Sequence, residues 1–193
     1  MEQPKRLVLA STSPYRKALL ERLGLRFDLA APGVDETALP GEAPEQTALR
    51  LSVLKARAAR VGDALVIGAD QVASLDGRPL GKPGNHDNAV RQLRALSGRT
   101  AEFHTALSVL DSASGELHSR VVSCRVTFRD LDARTIETYL RREQPYDCAG
   151  SAKAEGLGIA LIARIDTDDP TSLIGLPLIA LSEMLARAGL RVL

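Results

Sequence analysis

An α/β or α+β fold around a mixed sheet is what the order of elements in this chain predicts, and three stretches carry the prediction. "RLVLASTSPYRKALLERLG", residues 6–24, runs from an apolar strand through a turn into a helix. "ALVIGAD", residues 64–70, is a continuous apolar run of the kind expected of a strand covered on both faces. Thr100–Leu110 and Glu116–Phe128 flank "DSASG" as the two long strands of a hairpin.

In chain order, Arg6–Ala10 reads as a buried strand. Ser13 supplies an N-cap, Pro14 sits in the first turn, and Gly24 closes the helix. Arg26–Ala30 reads as a second short strand, followed by "APGVDETALPGEAP", a proline- and glycine-rich acidic loop of a length that often carries function. From Pro44 to Arg60, Leu49, Val53, Leu54 and Ala58 recur at helical spacing, with Lys55 inside the pattern. The polar end of strand 64–70, Asp70, should face a cleft. Asp76-Gly77 between "QVASL" and "RPL" signals a hairpin, "GKP" follows at 81–83, and Asn85 caps the next helix. Asp132 caps a helix to Arg142, "GLGIALIARI" reads as a late strand, and Gly175–Ala188 as the last helix. With no internal repeat, low-complexity tract or dividing linker, residues 1–193 read as one domain.

Composition narrows the function. A hydrophobic content of 45% suffices for a full core. Lys+Arg 25 against Asp+Glu 24 leaves a formal charge of +1, which argues against a nucleic-acid binder working through many phosphate contacts and leaves small anions open. Cys124 and Cys148 have no metal-type spacing, and His86, His104 and His118 do not cluster around them. The apolar run Leu7–Ala10 is far short of a signal peptide or membrane span, so the expectation is a cytoplasmic protein with reduced thiols and no membrane contact.

Chemistry concentrates at a few positions. Amides at a helix start carry the positive end of the dipole, so Ser11, Ser13 and Arg16 are suited to a phosphate; a capped helix with solvated cations is the plainer alternative. Asp70 after six apolar or small residues calls for a cation, a metal or an ordered water. Asp35 and Glu36 put two acids on the long loop. Lys55 can snorkel or point into a pocket, and Lys82 is fixed between Gly81 and Pro83.

Taken together, "LASTSPYR", "VDE", "LKA", "IGADQV", "GKP", "LSG", "CAGSAKAEGLG" and "IGLPL" resemble, in order and separation, the Maf-like nucleotide pyrophosphatases over nearly the whole chain. The resemblance implies a metal-dependent hydrolase that cuts nucleoside triphosphates between the α and β phosphates. It also implies an inosine-triphosphatase-like fold, with an elongated mixed sheet, flanking helices and a central cleft between two lobes, often as a homodimer. Asp70 is then the proton acceptor that activates water. Ser11, Arg16, Lys55 and Lys82 would surround the triphosphate, and Glu36 with Asp70 would hold Mg²⁺, Mn²⁺ or Co²⁺, hard cations that prefer carboxylate oxygen. Asp70 can be base, ligand or both.

Within the family, the subgroup acting on dTTP and UTP is expected to carry arginine, threonine and glutamine where this chain has Tyr15, Gln71 and Glu155. Those three resemble the 7-methyl-GTP subgroup instead, which implies a house-cleaning role against modified nucleotides. Methylation at N7 makes guanine cationic, so a tyrosine face attracts it and an arginine repels it; Glu155 would offset the charge and accept from the base's Watson–Crick donors. The alternatives are a dTTP/UTP pyrophosphatase, or a nucleotide-binding regulator of cell division with little turnover. Retention of Glu36, Lys55, Asp70 and Lys82 together favours an enzyme.

Overall fold

The computed structural model describes residues 3–59 and 61–193. Strand β1 (Leu7–Ala10) leads through Ser11–Ser13 into α1 (Pro14–Glu21), where the Ser13 side chain accepts from the Arg16 amide as the N-cap. The second strand is shorter than expected, β2 covering only Asp28–Leu29. Helix α2 spans Pro44–Ala58, and Arg60, which the sequence pattern included, lies outside the described residues. Then come β3 (Leu65–Leu75), β4 (Arg78–Leu80), α3 (His86–Leu96), β5 (Thr100–Asp111), β6 (Leu117–Phe128), α4 (Ala133–Glu143), β7 (Ile162–Asp166) and α5 (Leu178–Arg187).

The strands form one mixed sheet in the order β2-β1-β3-β5-β6-β7, with β4 also paired to β3. Its first part is parallel (β2, β1, β3) and the rest antiparallel. Alternation along the strands sends Leu7, Leu9, Leu65 and Ile67 to one face, against Leu19 and Leu20 of α1 and Leu181 and Leu185 of α5. Val8, Ala10 and Val66 form a smaller cluster with Ala59 and Ala64. A second large cluster, at the other end of the sheet, packs Phe103, Val126 and Phe128 against Leu93 and Leu96 of α3 and Ile136 and Leu140 of α4. Each such fully buried aliphatic side chain contributes about 1.5–3 kcal/mol.

Three boundaries differ from the sequence pattern. Asp70 is not at a strand end: β3 continues to Leu75, because β5 pairs with it antiparallel from Leu65 to Ser74. The stretch "GLGIALIARI" is only half strand, since Leu157–Leu161 coil into a 3₁₀ turn in which Gly158 lies against the backbone of Lys153, leaving no room for a Cβ. The last helix starts at Leu178 rather than Gly175, whose φ of 122° is not helical, and Pro177 takes the N-cap position.

The continuation of β3 creates the cleft. With β5 along one edge, β1 and β4 must share the other: β1 reaches only to Gly68, and β4 begins pairing at Ala73. The edge from Ala69 to Val72 is thus open, and Asp70 and Gln71 stand in the gap. Ser11, just after β1, and Lys82, just after β4, flank it. Gly68 has a second duty. A Cβ there would lie 2.1 Å from the Ser52 carbonyl oxygen and 2.6 Å from the Ala56 amide nitrogen, so only glycine lets α2 lie directly on β3. That close approach brings Lys55 down onto Asp70.

Candidate active site

The nine residues to which the resemblance gives a role line one cavity of about 580 Å³: Ser11, Tyr15, Arg16, Glu36, Lys55, Asp70, Gln71, Lys82 and Glu155. They come from six parts of the chain, and the gap in the sheet edge is what lets neighbours on opposite faces of β3 open into the same space.

At one end the Lys55 ammonium stands 2.6 Å from Asp70 Oδ1 and 2.6 Å from Glu36 Oε1. Lys55 and Asp70 are buried, whereas the Glu36 side chain is 59% exposed. Desolvation raises the Asp70 carboxyl above its ordinary value, against the opposing pull of Lys55 and Arg16; the Glu36 charge adds to the rise. Burial also pushes Glu36 upward, but there the hydrogen bond and charge of Lys55, with Arg16 and Lys82, win and the net shift is downward. Two carboxylates so close to one cation therefore differ in character: Asp70 is the more basic. Desolvation pulls Arg16 below its ordinary value against Asp70 and Glu36, and its Nε donates to the Gly175 carbonyl at 2.9 Å. Lys82 is exposed and makes no ion pair among the described residues.

The opening motif divides its labour. Ser11 is buried at the cavity wall, its hydroxyl accepting from the Ser13 amide at 3.1 Å, while Ser13 serves as helix cap. Lys17 points away, 3.6 Å from Glu21. The two loop acids also separate: Asp35 accepts from the Thr37 amide and hydroxyl, and only Glu36 reaches the cleft. Glu42 fastens this loop to α2 through a two-pronged pair with Arg50 at 2.6 and 2.7 Å, which carries its carboxyl down to about 2.

At the other end, Tyr15 donates to Asp147 Oδ2 at 3.5 Å, and burial, with Cys148 and Asp147 beside it, lifts the phenol above its usual range. Lys153 lies over the ring, its Nζ 5.7 Å from the centroid, and is paired with Glu143 at 3.0 Å. The segment bearing Glu155 is tied down by the Lys153 amide on Tyr139 Oη and the Leu157 amide on Glu143 Oε2, at 3.0 and 2.7 Å. Lys153 and Asp147 were missed by sequence reasoning, although "CAGSAKAEGLG" contains Lys153 only two places before Glu155. The visible signal was a cation two places from a residue assigned to the base. Both cysteines are free, and burial pushes each thiol up to about 11. Among the described residues no cluster of three or more His, Cys, Asp or Glu could by itself hold a metal ion. No helix in the described residues is long and apolar enough to cross a membrane.

An α/β sheet interrupted beside a buried, basic carboxylate, with cations on both lips of the gap, defines a protein built to receive an anionic small molecule. The chain belongs to the Maf-like protein family, whose model matches residues 6–188. It is similar to the 7-methyl-GTP pyrophosphatase of Cupriavidus pinatubonensis, 59% identical over 186 residues covering 95% of this chain and 94% of that protein. The corresponding proteins of Thiobacillus denitrificans (59% identity, 97% and 94% coverage) and Paraburkholderia xenovorans (57%, 98% and 95%) bear the same description. A HAM1 protein from Coxiella burnetii overlaps 64% of this chain and 73% of its own at a TM-score of 0.46 and 18% identity, a level that says nothing about the site.

Proposed function

We propose that this chain is a nucleoside triphosphate pyrophosphatase that hydrolyses 7-methyl-GTP to 7-methyl-GMP and diphosphate. The observation that carries the reading is the single cavity in which the Lys55, Asp70 and Glu36 cluster meets Tyr15, Gln71 and Glu155. Full-length relatives at 57–59% identity described as 7-methyl-GTP pyrophosphatases support it.

In this mechanism Asp70 takes the proton of the attacking water. A carboxylate destabilised by burial is a better base than one in water, and the Lys55 and Arg16 charges beside it oppose that rise. Arg16, Lys82 and Ser11 hold phosphate oxygens around the gap, and Lys55 balances charge beside the base. Tyr15 faces the cationic base, and Glu155 offsets its charge. Glu36 and Asp70 suit a hard divalent cation such as Mg²⁺, Mn²⁺ or Co²⁺, since both carboxylates converge on one cationic position and phosphate oxygens can complete such a shell. When bound, the cation would stabilise charge on the departing diphosphate.

The test is diphosphate release from a panel of methylated and unmethylated nucleoside triphosphates with each divalent metal. 7-Methyl-GTP should give the highest kcat/KM, with monophosphate and diphosphate as the products by phosphorus NMR. A preference for UTP or dTTP would overturn the substrate, and orthophosphate as the product would overturn the bond cleaved.

A further inference from the structure

Gln71 stands opposite Thr105 in the β3–β5 ladder, with its side chain bound on three sides. Its Nε2 lies 2.9 Å from Thr105 Oγ1, 2.8 Å from the Ser172 carbonyl oxygen and 3.1 Å from the Leu173 carbonyl oxygen. Backbone carbonyls only accept, so the amide nitrogen must face them; the flipped amide would set oxygen against two oxygens. Thr105 agrees, because its hydroxyl donates to the same Ser172 carbonyl at 2.9 Å and keeps a lone pair for Gln71. Thr105 and Ser172 are fully buried, so water does not compete for these groups. Both amide donors are consumed inside the protein. Gln71 Oε1 takes no hydrogen bond among the described residues, and Gln71 lines the cavity.

We infer that Gln71 meets the base as a hydrogen-bond acceptor only, its polarity locked by Thr105 and the 172–173 backbone, so that the site takes a purine whose facing edge donates. This deepens the proposed function and rests on it. A guanine ring offers the N1–H and 2-amino donors, whereas an adenine ring puts an N1 lone pair at the same place and lacks the 2-amino group. Glutamine in solution could rotate its amide to suit either edge. Here rotation would turn the amide oxygen onto the Ser172 and Leu173 carbonyl oxygens and leave the Leu173 carbonyl without its donor. Thr105 is thus a positioning residue for specificity, a role that no local pattern around "FHTALS" announces. The same loop also holds Arg16 through the Gly175 carbonyl at 2.9 Å, so one short segment orients a group at each end of the ligand.

Two measurements test the inference. 7-Methyl-ATP and 7-methyl-GTP share charge, sugar and triphosphate and differ in the edge. Wild type should prefer the guanine compound by about tenfold or more in kcat/KM, and Gln71→Leu should shrink that ratio by about tenfold. An unchanged ratio in a folded variant that turns over 7-methyl-GTP would overturn it. Independently of catalysis, NMR of the substrate-free protein should find the Gln71 side-chain amide protons exchanging at least about tenfold more slowly than those of the surface Gln144. Equal exchange rates would overturn the locked orientation. If wild type does not turn over 7-methyl-GTP, the proposed function fails, while the exchange measurement still decides the polarity of Gln71.

Discussion

The two ends of the cavity are held by different means. At the Asp70 end, regular elements pack backbone to backbone: α2 rests on β3 at Gly68, and the Lys55 to Asp70 contact follows from that packing. At the Tyr15 end, the walls are loops and 3₁₀ turns, and their shape depends on side-chain tethers such as Glu143 to the Leu157 amide and Tyr139 to the Lys153 amide. On the proposed function, the chemical end is therefore built on packed regular elements, and around Glu155 the selective end is built from segments that can vary without disturbing the sheet. Substitutions at the first end should act on rate and stability together, and those at the second on the choice of ligand.

The largest effect should come from Asp70→Asn. Removing a general base costs about 10²–10⁴ in kcat. The variant should stay folded, because desolvation is the largest influence on the Asp70 carboxyl and the amide removes the buried charge. Because that carboxyl sits above the ordinary aspartate value of 3.8, the acid limb of the wild-type kcat profile should lie higher than for an exposed aspartate and vanish in the variant. The sign for stability is opposite to that of a paired surface acid. A raised carboxyl favours the folded state at low pH, and that contribution is lost as pH rises through the folded value. Wild-type turnover by Asp70→Asn would place the chemistry elsewhere.

Next in size is Gly68→Ala, which contacts no ligand. Its methyl would meet the backbone of α2, so the helix must move off the sheet, at about 1–3 kcal/mol for overpacking of this kind. Melting temperature and kcat should fall together, since the displaced helix carries Lys55. A loss of stability with unchanged kcat would mean that the Lys55 to Asp70 contact tolerates movement of α2.

Tyr15→Arg with Glu155→Gln tests the loop-built end. A cation–π contact of about 0.5–2 kcal/mol corresponds to a preference for 7-methyl-GTP over GTP of about 2- to 30-fold from the ring alone. The double variant should lose most of that preference while keeping its melting temperature. Adding Gln71→Thr should shift the site toward pyrimidines, with coupling among the three sites. Lys153 complicates the simple stacking picture, since its ammonium already lies over the Tyr15 ring. Lys153→Met should accordingly lower KM for 7-methyl-GTP more than for GTP, by removing a like charge.

The same contrast explains how far the sequence could be read. Element types followed from periodicity and capping, as at Ser13, Asn85 and Asp132, because these signals act within a few residues. Nine cavity residues could be named, since their spacing resembles that of a known family. What sequence reasoning missed is what depends on distant partners: the open edge of β3 is set by where β1 and β4 stop, and the polarity of Gln71 by carbonyls a hundred residues later. Asp70 was expected at a strand end because its charge looked like a boundary, yet ladder pairing with β5 carried the strand past it.

The smallest effects on turnover should come from the cysteines, one in each kind of surrounding. Cys124 lies on β6 in the cluster packed between sheet, α3 and α4, fully buried. Cys148 lines the cavity beside Tyr15 and Asp147. Burial comes first in raising both thiols to about 11, and Asp147 adds to the effect at Cys148, so neither supplies a thiolate nucleophile at neutral pH. Cys124→Ser should lower stability by about 1–3 kcal/mol through burial of a hydroxyl and leave kcat and KM unchanged. Cys148→Ser should leave stability unchanged and move KM for 7-methyl-GTP by no more than about twofold, since it alters the wall but not the chemistry. Thermal melts and steady-state kinetics on the two single variants separate these outcomes, and a folded Cys148→Ser protein without turnover would put the thiol into the mechanism.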